Sequence, residues 1–548
     1  MCLPSEICRV SAQAVASRTK ERSNHMARQK SDDCTVPKSR RKTESTRRHE
    51  RREGGKAVTV NEQTGQLGLN FGTAEVLAGQ TAKVDGVAVS HRRETATHAK
   101  PKPKSTKRQT SSATMEEVTQ RLREAFENVA TNDGAPGPDG QNIEEVRAHL
   151  EDTLPQLSKA LLDETYAPGD IRRVWIPKAG GGQRGLGIPN VIDRVVQEAI
   201  RMVLEPLYLP TFHANSHGFI PGRSCHTAIT EVRRYIDDGH EWVVDIDLKQ
   251  FFDRVHQQRL MARLEQRVSD RRLLGTIHRL LKAKVVMPNG VKVSTDEGVP
   301  QGGPLSPLLA NIVLDELDIE LEQRGHRFVR YADDCNIFVR SEQAGHRVME
   351  SVKRFIERRL RLEVNVEKSA VARPEERHFV GFSLRREPEY GTVDVLLSKR
   401  SKERIDTKIR ELTPRNFGKS LKACIERINA YLQGWIGFFW ICTEKAESMF
   451  RDVDKHIRRR LRAIQLKHWK RKQTIARKLI QLGVPRKTAW RQVYSGRKSL
   501  WALSHTPAVD RGLRNAYFAE RGLVSVEEQW TELIERNVVP EQLSLPTG

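Results

Sequence analysis

The chain has 548 residues, a net charge of +24 at pH 7 and a pI of about 9.9. So large an excess of positive charge favours a polyanionic partner, either nucleic acid or an anionic membrane surface. The membrane is the weaker choice, because no apolar run approaches the roughly 18 residues that a spanning helix needs. The seven cysteines are scattered and include no Cys-x-x-Cys pair, so neither a disulfide framework nor a structural zinc site is supported.

Residues 1–112 form a basic leader that differs in composition from the rest of the chain. They include 23 basic and 11 acidic residues and therefore carry a net charge of +12, half of the total. Few aromatic residues and no sustained periodicity predict disorder. The leader is either a nucleic-acid-binding arm or a solvated segment, and the true start could also lie later, at Met26 or Met115. Because the first residues lack an apolar signal core, we expect a cytoplasmic protein.

Helical periodicity begins at Met115 and predicts a first helix, followed after a turn cluster by a second helix from Ile143 to Leu161. Residues 171–189 then predict two strands joined by a glycine turn. Lys178 and Arg184 flank this turn, so both could point at one polyanion such as a triphosphate. The alternative is a solvated hairpin, which is favoured without further context. A helix is predicted next, from Asp193 to Leu207.

Residues 242–248 predict a buried strand in which Asp245 and Asp247 share one face, because successive side chains alternate. An unpaired carboxylate is costly in so apolar a strand, so we expect one of the two to reach a metal ion. Residues 298–312 predict a loop, punctuated by glycine and proline, that enters a helix. Paired glycines allow close approach of a ligand, and a helix N-terminus favours phosphate.

The run from Arg327 to Arg340 predicts a β-hairpin with Ala332, Asp333 and Asp334 at its turn. Two adjacent carboxylates in a chain this basic call for a cation. Mg²⁺ prefers oxygen ligands and is usually held by one or two carboxylates plus substrate phosphates. The alternative is a polar turn, since Asp is common in turns, and on this motif alone the polar turn is favoured.

Beyond the hairpin, a predicted helix leads to Lys368, and residues 379–382 predict a short strand or turn. Residues 400–480 predict basic helices with an aromatic cluster between Tyr431 and Trp440. Basic residues interleaved with tryptophan suit phosphate contact and base stacking. The alternative is an amphipathic helix whose aromatic residues lie in the core. Residues 480–548 predict a small helical tail.

The order of these motifs resembles that of the group II intron reverse transcriptase/maturase family of right-hand polymerases. The resemblance runs from about residue 115 to the C-terminus. It includes residues 132–140, 216–224 and 434–439, which look like the N-terminal extension, a finger block and the thumb. It implies an α+β fold with fingers, a palm with an antiparallel sheet and a helical thumb. The expected segments are the disordered basic leader (1–112), N-terminal extension and fingers (113–235), palm (236–390), thumb or maturase domain (391–480) and nucleic-acid-binding tail (481–548).

The resemblance also implies roles for individual residues. The family's first catalytic aspartate stands five residues before an aromatic gate, which selects Asp247 with Phe252 over Asp245. Asp333 and Asp334 complete a triad that would bind two Mg²⁺ ions. We expect dNTP contacts from Lys178, Arg184, Phe252, Gln301 and Lys368, a primer grip from Phe379, Gly381 and Phe382, and RNA contacts from Arg458, Arg459, Arg460, Arg462 and Lys470.

The implied function is RNA-directed DNA synthesis during intron retrohoming, together with maturase assistance to splicing. The expected partners are group II intron RNA, target or primer DNA and dNTPs, with no membrane, in a bacterial cytoplasm and at the nucleoid during action on DNA. The chain lacks the paired cysteines of an HNH endonuclease and so resembles the compact bacterial class C branch. Two alternatives stay open, a non-catalytic RNA-binding splicing factor and a domesticated reverse transcriptase of the retron, diversity-generating or CRISPR-associated type.

Overall fold

The structure is a computed structural model that describes residues 113–177, 182–387, 391–414, 416, 418–495 and 499–542. The predicted basic leader and Lys178 lie outside the described residues. The described chain divides into two compact bodies. Body A comprises residues 113–211 and 252–309, and body B comprises residues 212–251 and 310–542.

The strands are, in chain order, β1 (Ile171–Pro177), β2 (Gln183–Ile188), β3 (Trp242–Ile246), β4 (Val285–Val286), β5 (Lys292–Val293), β6 (Arg327–Tyr331), β7 (Asp334–Val339), β8 (Ala370–Ala372), β9 (Phe382–Arg386) and β10 (Val393–Leu397). The helices up to β6 are α1 (Met115–Gln120), α2 (Leu122–Thr131), α3 (Ile143–Ala148), α4 (Leu150–Leu162), α5 (Val191–Tyr208), α6 (Cys225–Asp237), α7 (Phe251–Arg254), α8 (Gln257–Glu265), α9 (Arg271–Leu281) and α10 (Ser306–Gln323). The later helices are α11 (Glu342–Phe355), α12 (Lys399–Leu412), α13 (Leu421–Phe439), α14 (Glu447–His468), α15 (Lys472–Gln481), α16 (Arg486–Tyr494), α17 (Leu500–Leu503), α18 (Pro507–Gly512), α19 (Asn515–Ala519) and α20 (Val526–Gln542).

Body A contains a four-stranded sheet in the order β2-β1-β4-β5. The antiparallel pairing of β1 with β2 confirms the two predicted strands, while residues 178–181 of the predicted turn lie outside the described residues. The predicted second helix is interrupted at His149, whose backbone (φ −114°, ψ 16°) leaves the helical region, so α3 and α4 replace one continuous helix. The side chain of Asn142 begins α3 by accepting a hydrogen bond from the backbone N–H of Glu145, while the Glu145 carboxylate accepts one from the N–H of Asn142.

Body B is built on an antiparallel sheet in the order β6-β7-β3-β8. Its central strands are apolar, and β7 is buried from Cys335 to Val339. Helix α11 packs on β3, β7 and β8. A Cβ atom at Gly345 of α11 would lie only 2.5 Å from Val371 Cγ1 of β8, so glycine allows this close approach.

A second hydrophobic layer of body B joins the two-stranded sheet of β9 and β10 to α6 and to the helices from α12 onward. Phe382 of β9 stacks on Phe438 of α13 with ring centroids 5.5 Å apart. Residues 400–480 are mainly helical, as predicted, and further helices continue through the described part of the tail. In the described ranges, no helix is both long and apolar enough to cross a membrane.

Candidate active site

Asp247 lies where β3 ends. Its backbone N–H donates a hydrogen bond to Ser369 Oγ (3.0 Å), and its carbonyl accepts one from the N–H of Asn365 (2.8 Å). An isolated bridge also pairs Leu248 with Val364. The segment after β3 is therefore fixed by residues 363–369, which explains how a carboxylate just beyond the strand keeps a defined position.

The predicted hairpin is confirmed, with Asp334 as the first residue of β7. Tyr331 pairs with Asp334, so Ala332 and Asp333 form the two-residue turn. Ala332 has φ +56°, a left-handed conformation that costs a non-glycine residue roughly 1–2 kcal/mol. Asp333 is thus presented on a tight and strained turn, and Asp334 directly after it.

The pairing of β3 with β7 brings the three predicted catalytic aspartates together. Ile246 pairs with Cys335, so continuing the register by one residue places Asp247 opposite Asp334. Dense packing around Asp334, together with the charges of Asp333, Asp245 and Asp247, raises the pKa of the Asp334 carboxyl, although this side chain keeps exposed surface. These carboxylates therefore repel one another in the protein, and a bound cation would relieve this repulsion.

Lys368, a predicted dNTP contact, is the nearest cation to Asp247 that the structure identifies. Its Nζ lies 3.9 Å from Asp247 Oδ2, and its side chain is 62% exposed. An exposed pair at this distance contributes little to stability. The ammonium group consequently remains available to a negatively charged ligand beside the aspartates.

Asp245 has a different partner, which the sequence interpretation missed. The Arg377 guanidinium donates to Asp245 Oδ2 from Nε (2.9 Å) and from Nη2 (2.5 Å), and it also donates to the Lys368 carbonyl. Burial raises the pKa of Asp245 while Arg377 opposes that shift. Asp245 is therefore paired in a structural ion pair, which supports the choice of Asp247 for metal binding.

The donor set fits Mg²⁺, because every candidate ligand is a carboxylate oxygen and the cluster carries excess negative charge. Within the described ranges, no group of three or more His, Cys, Asp or Glu side chains forms a ready-made metal cage. A magnesium site that uses one or two carboxylates and completes its shell with substrate phosphates and water does not need such a cage.

Two predicted nucleotide contacts meet in body A. Arg184 Nε donates to Gln301 Oε1 (3.2 Å), and the Gln301 carbonyl accepts from the N–H of Gly187 (2.7 Å). The side chains of Arg184 and Gln301 thus form a polar pair on β2 and on the loop before α10. A Cβ atom at Gly302 would lie 2.3 Å from the Gly187 carbonyl oxygen, and the glycine has φ +127°, so this loop requires glycine there.

Phe252, the predicted aromatic gate, lies in the short helix α7. Its carbonyl accepts a hydrogen bond from the N–H of Val299 (2.7 Å), and Gly298 donates to the carbonyl of Val255 (2.8 Å). Its side chain is half-buried. The loop that leads to Gln301 is therefore anchored on the backbone of α7.

The predicted primer grip is a tight turn. Phe379 and Phe382 exchange backbone hydrogen bonds of 3.1 and 2.9 Å, and Gly381 at φ +100° closes the turn. Both phenyl rings are buried in the hydrophobic core. Their side chains therefore stabilise the turn from within the core.

The predicted RNA-binding arginines of α14 divide into two groups. Arg460 donates from Nε to Thr413 Oγ1 (2.8 Å) and also hydrogen-bonds the Thr413 carbonyl, and Arg462 donates to the Leu513 carbonyl (2.9 Å) and pairs with Asp510 (2.6 Å). These two tie α14 to neighbouring segments of body B. Lys470, in contrast, is exposed beyond the end of the helix.

Arg458 and Arg459 form the second group, and Arg458 Nη1 also lies 4.0 Å from Asp454 Oδ2 on the same helix. Together with Arg462 they line a cleft of about 450 Å³, whose other lining residues are Lys455, His456, His505, Asp510 and Asn515. The guanidinium carbon of Arg459 lies 3.8 Å from the centre of the Trp501 ring. A cleft with four lysine and arginine side chains among its eight lining residues, one of them held against an aromatic ring, suits the sugar-phosphate backbone of nucleic acid.

Comparison with known proteins identifies the family. The family described as "Reverse transcriptase (RNA-dependent DNA polymerase)" matches residues 176–384, which include all three aspartates, and "Group II intron, maturase-specific domain" matches residues 402–481. Protein YkfC of Escherichia coli is 33% identical over 349 residues, which cover 56% of this chain and 89% of YkfC. The chain belongs to the group II intron reverse transcriptase/maturase family. It is accordingly an RNA-directed DNA polymerase with the right-hand polymerase fold, as the resemblance implied.

A further relative, the group II intron-encoded protein LtrA of Lactococcus lactis, is 30% identical over 327 residues. The match covers 48% of this chain and 54% of LtrA, so about half of LtrA has a counterpart in it. Among solved structures, a chain of a "Partial Cas6-RT-Cas1--Cas2 complex" aligns at 25% identity over 44% of this reverse transcriptase and 42% of that chain, with a TM-score of 0.30. Because a TM-score of 0.30 is too low to support a fold assignment, the fold is assigned from the family matches and the strand order.

Proposed function

We propose that this reverse transcriptase copies group II intron RNA into DNA during retrohoming and also assists splicing of that RNA. The observation that carries the catalytic part is the convergence of Asp247, Asp333 and Asp334 at one end of the β3–β7 pair, with a raised pKa at Asp334. The match of residues 402–481 to the maturase-specific domain supports the splicing part.

Asp247, Asp333 and Asp334 are the residues that would hold two Mg²⁺ ions. When bound, these ions supply Lewis acidity that favours the deprotonated primer 3′-hydroxyl and neutralises charge on the triphosphate and the leaving pyrophosphate. The chain's own contribution is to fix the carboxylates on a strand end and a tight turn, so that little reorganisation is needed during the reaction. Lys368 supplies a positive charge beside Asp247 for the pyrophosphate.

Selection of the nucleotide falls to residues of body A. Arg184 and Gln301, already hydrogen-bonded to each other, and Lys178, which lies outside the described residues, contact the dNTP. Phe252 excludes a ribose 2′-hydroxyl. In this proposal residues 113–235 form the N-terminal extension and fingers, 236–390 the palm, 391–480 the thumb and 481–548 the nucleic-acid-binding tail.

Intron RNA contacts the cleft on α14 through Arg458 and Arg459, with Lys470 farther along the same segment. Arg460 and Arg462 keep the helix in place, because their hydrogen bonds are made within the protein. The turn from Phe379 to Phe382 supports the primer strand through its backbone. The partners are therefore intron RNA, a DNA primer or target and dNTPs, in a bacterial cytoplasm.

Primer extension separates this proposal from a non-catalytic splicing factor. Purified protein is mixed with an RNA template, a DNA primer, dNTPs and Mg²⁺, and we expect template-length DNA that disappears when Mg²⁺ is chelated. RNA binding without any extension would contradict the catalytic proposal and favour the splicing factor. Absence of a group II intron domain V hairpin in the flanking DNA would contradict the retrohoming proposal and leave the polymerase activity intact.

A further inference from the structure

A fully buried arginine lies directly behind the catalytic turn. The side chains of Arg330 on β6 and Asp318 on α10 are both 0% exposed and form an ion pair. Arg330 donates to Asp318 Oδ1 from Nε (2.7 Å) and to Oδ2 from Nη2 (2.5 Å), which is a bidentate geometry. Burial would lower the pKa of Arg330, but the charge and hydrogen bonds of Asp318 outweigh this effect and raise it.

The remaining donor of Arg330 faces the turn itself. Nη1 donates to the carbonyl oxygen of Ala332 (2.8 Å) and to Asn311 Oδ1 (2.9 Å). Ala332 is the residue in the left-handed conformation, and it immediately precedes Asp333. The guanidinium group therefore holds the strained peptide from which the two catalytic carboxylates project.

A neighbouring loop completes this support. Asn311 Nδ2 donates to the Gly218 carbonyl (2.9 Å), and a Cβ atom at Gly218 would lie 2.2 Å from the backbone nitrogen of Ala332. Ser216 forms an isolated parallel bridge with Arg330, and the N–H of His217 donates to the Arg330 carbonyl (2.8 Å). The turn and its strand are thus contacted both by the loop at residues 215–218 and by the Arg330 side chain.

We propose that Arg330 is a positioning residue, which fixes the left-handed Ala332 peptide and thereby the orientation of Asp333 and Asp334. This inference rests on the proposed catalytic role of those two aspartates. A buried ion pair can often be replaced by apolar residues of similar volume without loss of stability, so stability alone does not require Arg330 here. The hydrogen bond from Arg330 to the Ala332 carbonyl connects this ion pair to the turn that carries Asp333.

Four variants separate positioning from folding. Arg330→Met leaves the Asp318 charge buried and unpaired, so it is accompanied by the double variant Arg330→Met/Asp318→Leu, which removes both charges. Arg330→Lys keeps a positive charge opposite Asp318 but loses the planar fork that serves Asp318, Asn311 and Ala332 together. Arg359→Met is the matched control. It removes the ion pair between Arg359, whose side chain is 69% exposed, and Glu316, which lies on α10 as Asp318 does.

The readouts are the midpoint of thermal unfolding, kcat and KM for dTTP on a poly(rA) template with an oligo(dT) primer, and Mn²⁺ binding to the free protein by electron paramagnetic resonance. For Arg330→Lys and the double variant we expect kcat to fall at least about tenfold, as displaced catalytic groups lose rate steeply. We expect KM for dTTP to stay within about twofold of wild type, since the nucleotide contacts are unchanged. Mn²⁺ affinity of the folded protein should fall severalfold, and Arg359→Met should match wild type.

Wild-type kcat and Mn²⁺ affinity in a folded Arg330→Lys or double variant would overturn the inference. A loss of kcat explained entirely by a smaller folded fraction, with unchanged Mn²⁺ affinity per folded molecule, would also overturn it. Asp333→Asn is measured alongside. Wild-type turnover in that variant would refute the proposed catalytic role itself, an outcome distinct from normal turnover in the Arg330 variants.

Discussion

At the scale of single residues, the structure separates paired charges from charges left for a ligand. Asp245 is neutralised by Arg377 and Arg330 by Asp318, whereas Asp247 has only the distant and exposed ammonium of Lys368 that the structure identifies. Charged groups in a packed interior are costly unless paired. Of the two aspartates near the end of β3, Asp247 is therefore the one expected to bind a metal ion, because Asp245 already has a close ion pair.

The half-buried Phe252 gives a prediction about nucleotide selection. Phe252→Ala should increase incorporation of ribonucleotides relative to deoxyribonucleotides by about tenfold or more, because it removes the ring that excludes a 2′-hydroxyl. The measurement is the ratio of kcat/KM for dTTP and UTP on the same primed RNA template. An unchanged ratio would refute the gate role.

His217 gives a prediction about acid stability. It is 6% exposed, its Nδ1 is 2.8 Å from Thr227 Oγ1, and its Nε2 has no hydrogen-bond partner among the described residues. Burial and then the charge of Arg223 lower the pKa of His217 from 6.5 to about 4. Below pH 6.5 the unfolded chain takes up a proton that the folded chain does not, so stability is lost as pH falls towards 4.

His217→Gln should make the free energy of unfolding less dependent on pH, by about 2 kcal/mol between pH 7 and pH 5. The measurement is denaturant unfolding at a series of pH values. His346→Gln serves as the control, because His346 is 65% exposed on α11 and should leave the dependence unchanged. If the free energy of unfolding of His217→Gln depends on pH as strongly as that of wild type, His217 is not the group that causes the loss of stability at low pH.

At the scale of elements, α14 serves both packing and recognition. Arg458→Gln/Arg459→Gln should weaken RNA binding and reduce the slope of log K against log salt by about 0.7–0.9 for each phosphate that the variant no longer neutralises. Arg460→Met should instead lower the free energy of unfolding by about 1–2 kcal/mol, since it breaks hydrogen bonds to Thr413. The two effects are checked by filter binding at several salt concentrations and by denaturant unfolding. If the slope of log K against log salt in Arg458→Gln/Arg459→Gln equals that of wild type, this face of α14 is exposed to solvent and does not bind RNA.

Sequence patterns predicted these elements unevenly. Turn signals between short apolar runs located β1, β2, β6 and β7, because a hairpin is a local structure. The helix break at His149 was missed, since the apolar stripe continues across it in sequence. The sequence did not show that Phe379 and Phe382 pack in the core or that Arg460 hydrogen-bonds Thr413 within body B. Periodicity could not reveal these contacts, because they depend on α13 and on the end of α12.

At the scale of the whole molecule, the aspartate cluster could be predicted from motif order, but its supporting network could not. Arg330 pairs with Asp318, 12 residues away along the chain, Asp247 with Ser369, 122 residues away, and Arg377 with Asp245, 132 residues away. Only the folded sheet brings these residues together. One signal was available for Arg330, because a cation between the buried residues of an apolar strand must have a partner. The identity of that partner required the structure.

The leader gives a prediction at this same scale. A chain shortened to residues 113–548 should retain kcat on a short template, because α1 begins at Met115 and is capped by Thr114. Its affinity for RNA should be lower at low salt, since the removed segment carries a net charge of +12. Primer extension and salt-dependent binding measure the two effects. An inactive shortened chain that remains folded would contradict this prediction.

The central claim is that Asp247, Asp333 and Asp334 carry out DNA synthesis on an RNA template. Its most direct test is the single-turnover rate of dNTP addition to an RNA-templated primer, measured for wild type, Asp247→Asn, Asp333→Asn and Asp334→Asn. Asp406→Asn is the control, because Asp406 lies on α12 and pairs with His456. We expect each of the three variants to lose at least about a thousandfold in rate, while Asp406→Asn keeps the wild-type rate. A wild-type rate in any of the three would contradict the account.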